Sequence, residues 1–148
     1  MRRDIYAHLI YARQKPLIGK LAYFLLKLLG AEIPVTTKIG KDFLLLHGGY
    51  GVALHPTAVF GDRVRVYPGA TVGRADVHIP IEKSKFKGLL VEDDVIIGTG
   101  AKVLCSDGIL RVGRGTIVGA NAVLLRSTGE YEIWAGVPAK CIGKRKEY

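Results

Sequence analysis

The sequence predicts an all-β protein, a three-sided parallel β-helix, because two regularities run through most of the chain. A bulky apolar residue recurs every six positions, and a small or β-branched residue follows it four positions later. A helix cannot use a period of six, since successive repeats would rotate around its surface, whereas a strand that turns a corner after every sixth residue can. The recurring apolar residues are Ile33, Ile39, Leu45, Leu54, Phe60, Val66, Val72, Val91, Ile97, Val103, Val112, Val118 and Leu124. The small or β-branched ones are Thr37, Ala58, Val64, Ala70, Val95, Ala101, Thr116 and Ala122.

Each six-residue unit is expected to form one flat side of a prism, with its apolar residue inside and a Gly or Asn near the corner. Three units make one coil, and coils stack at about 4.8 Å. A β-sandwich is the alternative, but it would not keep a six-residue phase through four separate runs. In this chain of 148 residues, the repeat therefore predicts a β-helix domain over residues 32–148, preceded by a short helical segment over residues 1–31.

The N-terminal segment does not follow the repeat. Its pattern predicts a helix from Asp4 to Leu29, broken near Pro16 and stopped by Gly30. One interpretation is that this helix caps the open end of the β-helix. The alternative is that residues 1–30 lie on an anionic membrane surface, since basic residues accompany the apolar face and the segment is too short to span a bilayer. These basic residues are Arg2, Arg3, Arg13, Lys15, Lys20 and Lys27.

Three interruptions of the repeat predict departures from the prism. The spacing lengthens from six residues to nine around residues 47–51, which predicts a bulge, and the same excess occurs at residues 105–108. The repeat disappears over residues 74–88, which are expected to form a loop that leaves the prism at a corner. Long loops in compact domains are usually functional. Trp134 and residues 135–140 are expected to close the last coil.

The charge of the chain favours a phosphorylated ligand. Lys and Arg number 22 against 13 Asp and Glu, for a formal net charge of +9, and basic clusters lie at residues 82–87 and 140–146. We expect no nucleic-acid partner, because no helix-turn-helix, zinc-finger spacing or aromatic–basic RNA motif appears. Cys105 and Cys141 stand alone without a secretory signal, which predicts reduced thiols and a cytoplasmic protein, with the inner face of the membrane as the alternative location.

His47 is the candidate general base. It opens the glycine-rich bulge, whereas His8 is expected on the helix surface, His55 at an outward corner and His78 in the extruded loop. Glu32 lies fifteen positions before His47, which in an eighteen-residue coil places both near one corner. A buried carboxylate there would fix the imidazole tautomer and leave the other ring nitrogen free as a base. From these residues alone, the alternative is that His47 has a purely structural role.

Five segments carry a resemblance to a known family. They are IPVTTKIGKDFLLLHGGYG (33–51), TAVFGDRVRVYPGATVG (57–73), VIIGTGAKVL (95–104), VGRGTIVGANAVLL (112–125) and AGVPAK (135–140). Together they resemble the left-handed β-helix acyltransferases built from hexapeptide repeats. The subgroup that they resemble most is that of serine acetyltransferase and its relatives in capsule and exopolysaccharide synthesis. The resemblance covers about residues 30–144.

The resemblance implies an acetyl-CoA-dependent O-acyltransferase. It implies a homotrimer with active sites between neighbouring prisms and acetyl-CoA along the groove. His47 matches the family's catalytic histidine, and Glu32 falls where the family places the aspartate that orients it. The left hand of the coil comes from the resemblance alone, because ordinary crossovers between parallel strands are right-handed.

Departures from the family pattern favour a sugar or polysaccharide precursor as acceptor. Leu46 stands where serine acetyltransferases carry an aspartate, and Lys87 with Gly88 stands in place of an Arg-His pair. Only about thirty residues precede the coils, where that family has a large helical domain. Serine O-acetylation in cysteine biosynthesis is the alternative. The expected acceptor-binding residues are His78, Tyr50, Tyr67 and Lys87.

We expect direct transfer, because no cysteine or serine occupies a motif that would activate it as a nucleophile. A backbone N–H near Gly73 or Gly98 is expected to stabilise the oxyanion. Trp134 is a candidate for the adenine contact, with capping of the last coil as its alternative. The groove for the pantetheine arm is assigned to Thr99, Gly100 and Ala101, and the CoA phosphates to Lys140, Lys144 and Arg145.

Two other function classes fit the sequence less well. A zinc-dependent carbonic anhydrase on the same fold needs convergent histidines, and His47 and His55 have the wrong spacing, so no metal is expected. A non-catalytic trimeric scaffold is disfavoured because His47 and Glu32 are both present.

Overall fold

A computed structural model describes residues 5–146 and shows a helical hairpin followed by a three-sided β-helix. The helices are α1 (Ile5–Ala12) and α2 (Gly19–Leu28). The strands are β1 (Lys38–Ile39), β2 (Leu44–Leu45), β3 (Ala53–Leu54), β4 (Ala58–Phe60), β5 (Arg65–Val66), β6 (Thr71–Arg74), β7 (Lys85–Val91), β8 (Ile96–Ile97), β9 (Lys102–Cys105), β10 (Asp107–Val112), β11 (Ile117–Val118), β12 (Val123–Leu124), β13 (Glu132–Ala135) and β14 (Lys140–Lys144).

The strands form the three sides of a prism. Side A consists of β1, β4, β7 and β10, side B of β2, β5, β8, β11, β13 and β14, and side C of β3, β6, β9 and β12. Consecutive coils pair in parallel, and only β14 runs antiparallel, along β13. The chain therefore visits sides A, B and C in turn and crosses an A–B, a B–C and a C–A corner in each coil.

The six-residue repeat forms the core. Every predicted inward residue is buried except Ile39, which is half-buried, and the predicted small residues are buried beside them. The strand register stacks equivalent positions of successive coils in columns. Val66 pairs with Ile97, for example, and Ile97 with Val118. The prediction of stacked six-residue units is confirmed.

The helical hairpin lies over the open end of the prism. Ile10 and Leu26 are fully buried in the common core. The Tyr11 hydroxyl donates to the Gly40 carbonyl at 2.8 Å and accepts from the Phe43 amide at 3.1 Å. The predicted break near Pro16 falls between the two helices, and the predicted start at Asp4 lies outside the described residues.

The prediction that Arg13 belongs to a basic outer surface is wrong. Its side chain is fully buried, and its guanidinium donates to the carbonyls of Pro34 at 2.8 Å, Val35 at 3.1 Å and Thr37 at 2.8 Å. These carbonyls belong to the first turn of the β-helix, where no preceding coil can pair with them. Burial lowers the pKa of Arg13 to about 10.

The excess at residues 105–108 is not a bulge. β6 extends to Arg74, which pairs with Cys105 of β9, and β7 begins at Lys85, which pairs with Asp107 of β10. The two coils therefore lengthen together, with one register shift between Gly108 and Ile109, and Ser106 alone separates β9 from β10 beneath the extruded loop. Within residues 5–146, neither helix combines the length and apolar character that crossing a bilayer would require.

Candidate active site

The bulge predicted at residues 47–51 lies at the B–C corner of the first coil. Residues 46–49 form a short turn of 3₁₀ type between β2 and β3, in which His47 has a φ of +53°. The imidazole is exposed there. Gly49 has a φ of +62°, and an added Cβ would lie 2.9 Å from a methyl carbon of Leu45, so this turn requires glycine. The glycine-rich sequence thus turns His47 out of the core.

Tyr67 lies beside His47 on the next coil. The two ring centroids are 6.2 Å apart with planes tilted by 55°. The Gly69 amide donates to the Tyr50 carbonyl at 2.7 Å, which ties the bulge to the corner below it. Tyr50 itself is 62% exposed at the bulge. The structure therefore brings together the His47 and Tyr67 rings of the predicted site, and the Tyr50 ring lies on the same bulge beside Gly48.

Glu32 does not orient His47 in this structure, and it is exposed instead of buried. Its Oε1 accepts from Lys27 Nζ at 3.1 Å and from the Tyr23 hydroxyl at 3.4 Å. The backbone of Glu32 forms a parallel bridge with Ala53 of side C. Its side chain turns towards α2, where the positive charge of Lys27 pairs with the carboxylate.

Lys102 is a basic residue of this region that the sequence reasoning missed. It lies on β9 of side C, and its Nζ donates to the carbonyls of Gly69 at 2.6 Å and Gly100 at 2.9 Å. The ammonium is thus fixed at the B–C corner, two coils from His47. Its place in the sequence, next to the buried Ala101, marks it as an outward position of the repeat.

The predicted pantetheine groove is only partly supported. Thr99 is exposed and Gly100 half-buried at the B–C corner, but Ala101 is fully buried inside the prism. Gly73 is buried within β6, and the Gly98 amide donates to the Val118 carbonyl at 2.8 Å. The ladder between coils occupies the Gly98 N–H itself, so this group is not available to an oxyanion, and a neighbouring N–H in that role stays a prediction.

Trp134 is a core residue and not an exposed platform for adenine. It is 8% exposed and pairs with Val118 in the inward column of side B. Its indole N–H donates to Glu132 Oε2 at 2.8 Å, which helps to hold the pKa of that carboxyl below its usual value. The alternative, that Trp134 caps the last coil, is the correct one.

The three predicted phosphate ligands are divided along β14. Lys140 is exposed opposite Ala135, at the B–C end of the strand. Lys144 Nζ contacts Glu132 Oε1 at 3.2 Å, and Arg145 donates to the Asp94 carbonyl at 2.9 Å and the Gly115 carbonyl at 3.0 Å. Because β14 runs across side B, Lys144 and Arg145 end near the A–B corner and cannot act with Lys140 as one cluster.

His78 and Lys87 lie at a different corner from His47. The extruded loop connects β6 of side C to β7 of side A, so it leaves the prism at the C–A corner. Both side chains are exposed. Within a single chain these two residues therefore do not belong to the same site as His47.

The loop is anchored by polar contacts of its own. Arg74 Nε lies 3.1 Å from Asp76 Oδ1, and Arg74 also donates to the Asp76 and Ile79 carbonyls. Ser84 donates to Asp76 Oδ2 at 2.6 Å. Both members of the ion pair are largely buried, so the ends of the loop are held together as a unit.

His55 lies at the base of this loop. Its ring packs edge-on to Phe86 at 4.9 Å, and its Nδ1 accepts the Thr57 amide N–H at 3.2 Å. Burial, and then the charge of Arg74, lower the pKa of His55. The bond from Thr57 places the ring proton on Nε2, so His55 is a neutral packing residue and not a second base.

One open pocket lies away from His47. Its volume is about 380 Å³, and it is found on side A and the A–B corner, with Glu92, Asp93 and Glu130 among its lining residues. Among residues 5–146, the His, Cys, Asp and Glu side chains nowhere gather in a group of three that could hold a metal ion.

No protein-family model matches the chain, but curated relatives do. It is 35% identical over 137 residues to the serine acetyltransferase of Bacillus licheniformis, an alignment that covers 92% of this chain and 59% of that protein. It is 34% identical over 113 residues to a serine acetyltransferase of Staphylococcus aureus, covering 76% of this chain and 49% of that protein. The chain thus spans only about half to three fifths of the length of these relatives.

Solved structures give the same result. A serine acetyltransferase from Brucella abortus in complex with coenzyme A has a TM-score of 0.77 at 27% identity, covering 95% of this chain and 56% of that one. The enzyme from Neisseria gonorrhoeae in complex with serine has a TM-score of 0.70 at 26% identity, covering 90% of this chain and 55% of that one. The fold is the left-handed β-helix of these enzymes, and the predicted resemblance to serine acetyltransferases is confirmed.

Proposed function

We propose that this protein transfers the acetyl group of acetyl-CoA to a hydroxyl group, with L-serine as the acceptor. The single observation that carries the proposal is the position of His47. It is exposed on a glycine-rich bulge of a fold whose relatives are serine acetyltransferases. A coenzyme A complex among the structural neighbours supports acetyl-CoA as the donor.

In the proposed reaction His47 acts as the general base. It removes the proton of the acceptor hydroxyl while the oxygen attacks the thioester carbonyl carbon, the carbon–sulfur bond breaks, and CoA leaves as the thiolate that is then protonated. No covalent acetyl-enzyme is required. Cys105 is buried at the C–A corner, and Cys141 lies on β14, so neither thiol is near His47.

The B–C corner offers a track for CoA. Among residues 5–146 the Thr99 amide donates to no backbone carbonyl, so it is available to a pantetheine carbonyl. Lys102 bonds to two carbonyls and retains a third N–H. Lys140 lies at the far end of the same corner, five strands beyond β2 in the sheet of side B, which is roughly 24 Å from His47 at the usual strand spacing. We assign Lys102 and Lys140 to the phosphate-bearing half of CoA.

The acceptor assignment departs from the prediction of a sugar precursor. The relatives and structural neighbours described above are serine acetyltransferases, and they give no support to a role in polysaccharide synthesis. A sugar acceptor is the second candidate because of one observation. Leu46, half-buried directly before His47, supplies no charge to the ammonium of an amino acid.

We further propose that the active unit is a homotrimer. His78 and Lys87 lie at the C–A corner of their own prism, so they can meet His47 only if the loop of one subunit reaches the B–C corner of the next. The symmetric packing of three prisms with parallel axes would provide such sites.

The test follows thiol release from acetyl-CoA by the purified protein with L-serine, and in parallel with nucleotide sugars. We expect turnover with L-serine and a fall in kcat of about 10²-fold or more in His47→Asn. His8→Asn, which changes an exposed histidine of α1, serves as the matched control and should keep full activity. Turnover with sugars alone would refute the serine assignment, and full activity of His47→Asn would refute the mechanism.

A further inference from the structure

The outer side of the helical hairpin carries a continuous apolar surface. Leu17 is 97% exposed, Leu21 60%, Phe24 56% and Leu28 68%. Their spacing of four, three and four residues places them on one face of α2 and its preceding turn. Ala22, on the opposite face, is buried. We call these four exposed residues the apolar face of α2.

Positive charge surrounds this face. Residues 5–31 include no Asp or Glu, and their basic residues are Arg13, Lys15, Lys20 and Lys27. Arg13 is buried and Lys27 is paired with Glu32, whereas Lys15 and Lys20 are exposed. An apolar stripe with lysines beside it is the pattern of helices that lie in the headgroup region of a bilayer.

We propose that the apolar face of α2 docks the protein on an anionic lipid bilayer. A bilayer can bury Leu17, Leu21, Phe24 and Leu28 while its anionic headgroups meet Lys15 and Lys20. A second copy of the chain is a poorer partner for this face. A symmetric contact would bring these lysines towards their own counterparts, and residues 5–31 offer no carboxylate to neutralise them.

The position of the hairpin suits a flat partner. Because it covers one end of the prism, a trimer with parallel prism axes would present three apolar faces at the same end. Three weak contacts on one surface then reinforce one another without any new interaction. This reinforcement rests on the proposed homotrimer, whereas the docking of a single face rests on neither the trimer nor the acetyl-transfer activity.

The experiment is sedimentation of the full-length protein with vesicles of phosphatidylcholine, with and without about one third phosphatidylglycerol, at about 0.1 M salt. We expect binding to the anionic vesicles only. The double variant Leu17→Gln/Phe24→Gln should lower the partition coefficient at least tenfold, because two buried apolar side chains are lost. Lys15→Gln/Lys20→Gln should weaken binding by a similar factor and reduce its salt dependence.

Ile142→Gln is the matched control, since Ile142 is 67% exposed on β14, away from the hairpin, and the variant should bind as the wild type does. Circular dichroism should show that all variants are folded. Equal binding of Leu17→Gln/Phe24→Gln would attribute binding to the net charge alone and overturn the proposal. Failure of the wild type to bind anionic vesicles would also overturn the proposal. So would the finding that Leu17→Gln/Phe24→Gln dissociates an oligomer in solution, because the apolar face of α2 would then be a subunit contact.

Discussion

Arg13 joins the hairpin to the β-helix. It is fully buried and donates three hydrogen bonds to carbonyls of the first turn, which belong to Pro34, Val35 and Thr37. A β-helix must satisfy the unpaired backbone groups of its first coil, and an internal basic side chain does so here. The same residue therefore serves as a cap for the coil and as an anchor for α1.

We predict that Arg13→Met lowers the free energy of unfolding by about 3 kcal/mol or more, because three charge-assisted hydrogen bonds to backbone carbonyls are lost, of which the one to Thr37 is buried. For a domain of this size the melting temperature should fall by roughly 6–12 °C. Thermal unfolding followed by circular dichroism measures the change. Lys15→Met, two positions away and exposed, is the control and should stay close to the wild type. A stable Arg13→Met protein would mean that the end of the prism finds other donors.

At the residue scale, the repeat predicts which side chains point inward but not what an outward side chain contacts. Trp134 is an exception: it pairs with Val118 in the inward column although it is out of step with the six-residue period, so the repeat alone does not exclude an adenine contact. The repeat places Glu32 directly before the inward residue Ile33, but it does not predict that the partner of Glu32 is Lys27. That partner depends on how α2 returns over the prism, which no periodicity encodes.

Among the structural elements, the extruded loop should make the stability of the folded protein depend on pH. His55 lies at its base, its Nδ1 accepts an N–H from Thr57, and burial followed by the charge of Arg74 lowers its pKa. The folded protein therefore binds fewer protons at this site than the unfolded chain does. Stability that is present above the ordinary histidine pKa of about 6.5 is lost as the pH falls below it.

We predict that His55→Gln flattens this decline. Melting temperatures measured between about pH 7.5 and 5 should fall less in the variant than in the wild type, because glutamine does not titrate. His78→Gln, which changes an exposed histidine of the same loop, is the control and should keep the wild-type slope. Parallel curves for the wild type and His55→Gln would show that His55 is protonated as readily in the folded protein as in the unfolded chain.

The sequence predicts some features of these elements and not others. The six-residue period predicts the sides of the prism, and its loss over residues 74–88 predicts a loop. It does not predict that β9 and β10 lengthen to support that loop. The pairing of Arg74 with Cys105 is a relation between coils, whereas the period describes one coil at a time. Likewise, the period does not predict that Lys102 lies at the B–C corner with Gly69 and Gly100, because that contact depends on how neighbouring coils stack.

At the scale of the whole molecule, the proposed homotrimer accounts for the separation of His47 from the loop. His47 lies at the B–C corner and His78 and Lys87 at the C–A corner. A prism is rigid because each coil pairs with the next, so these corners cannot approach each other within one chain. In the proposed homotrimer, a neighbouring copy would bring the two groups together.

Mixed trimers test this arrangement. One chain carries His47→Asn and the other His78→Ala/Lys87→Ala, so each variant alone should be inactive or strongly impaired in acetyl transfer. After co-expression, about a quarter of the sites in randomly mixed trimers should combine an intact His47 with an intact loop, and activity should recover to that fraction. Thiol release from acetyl-CoA measures it, and separately purified variants combined without subunit exchange are the control. If each site belonged to one subunit, no site would be intact and co-expression would restore nothing.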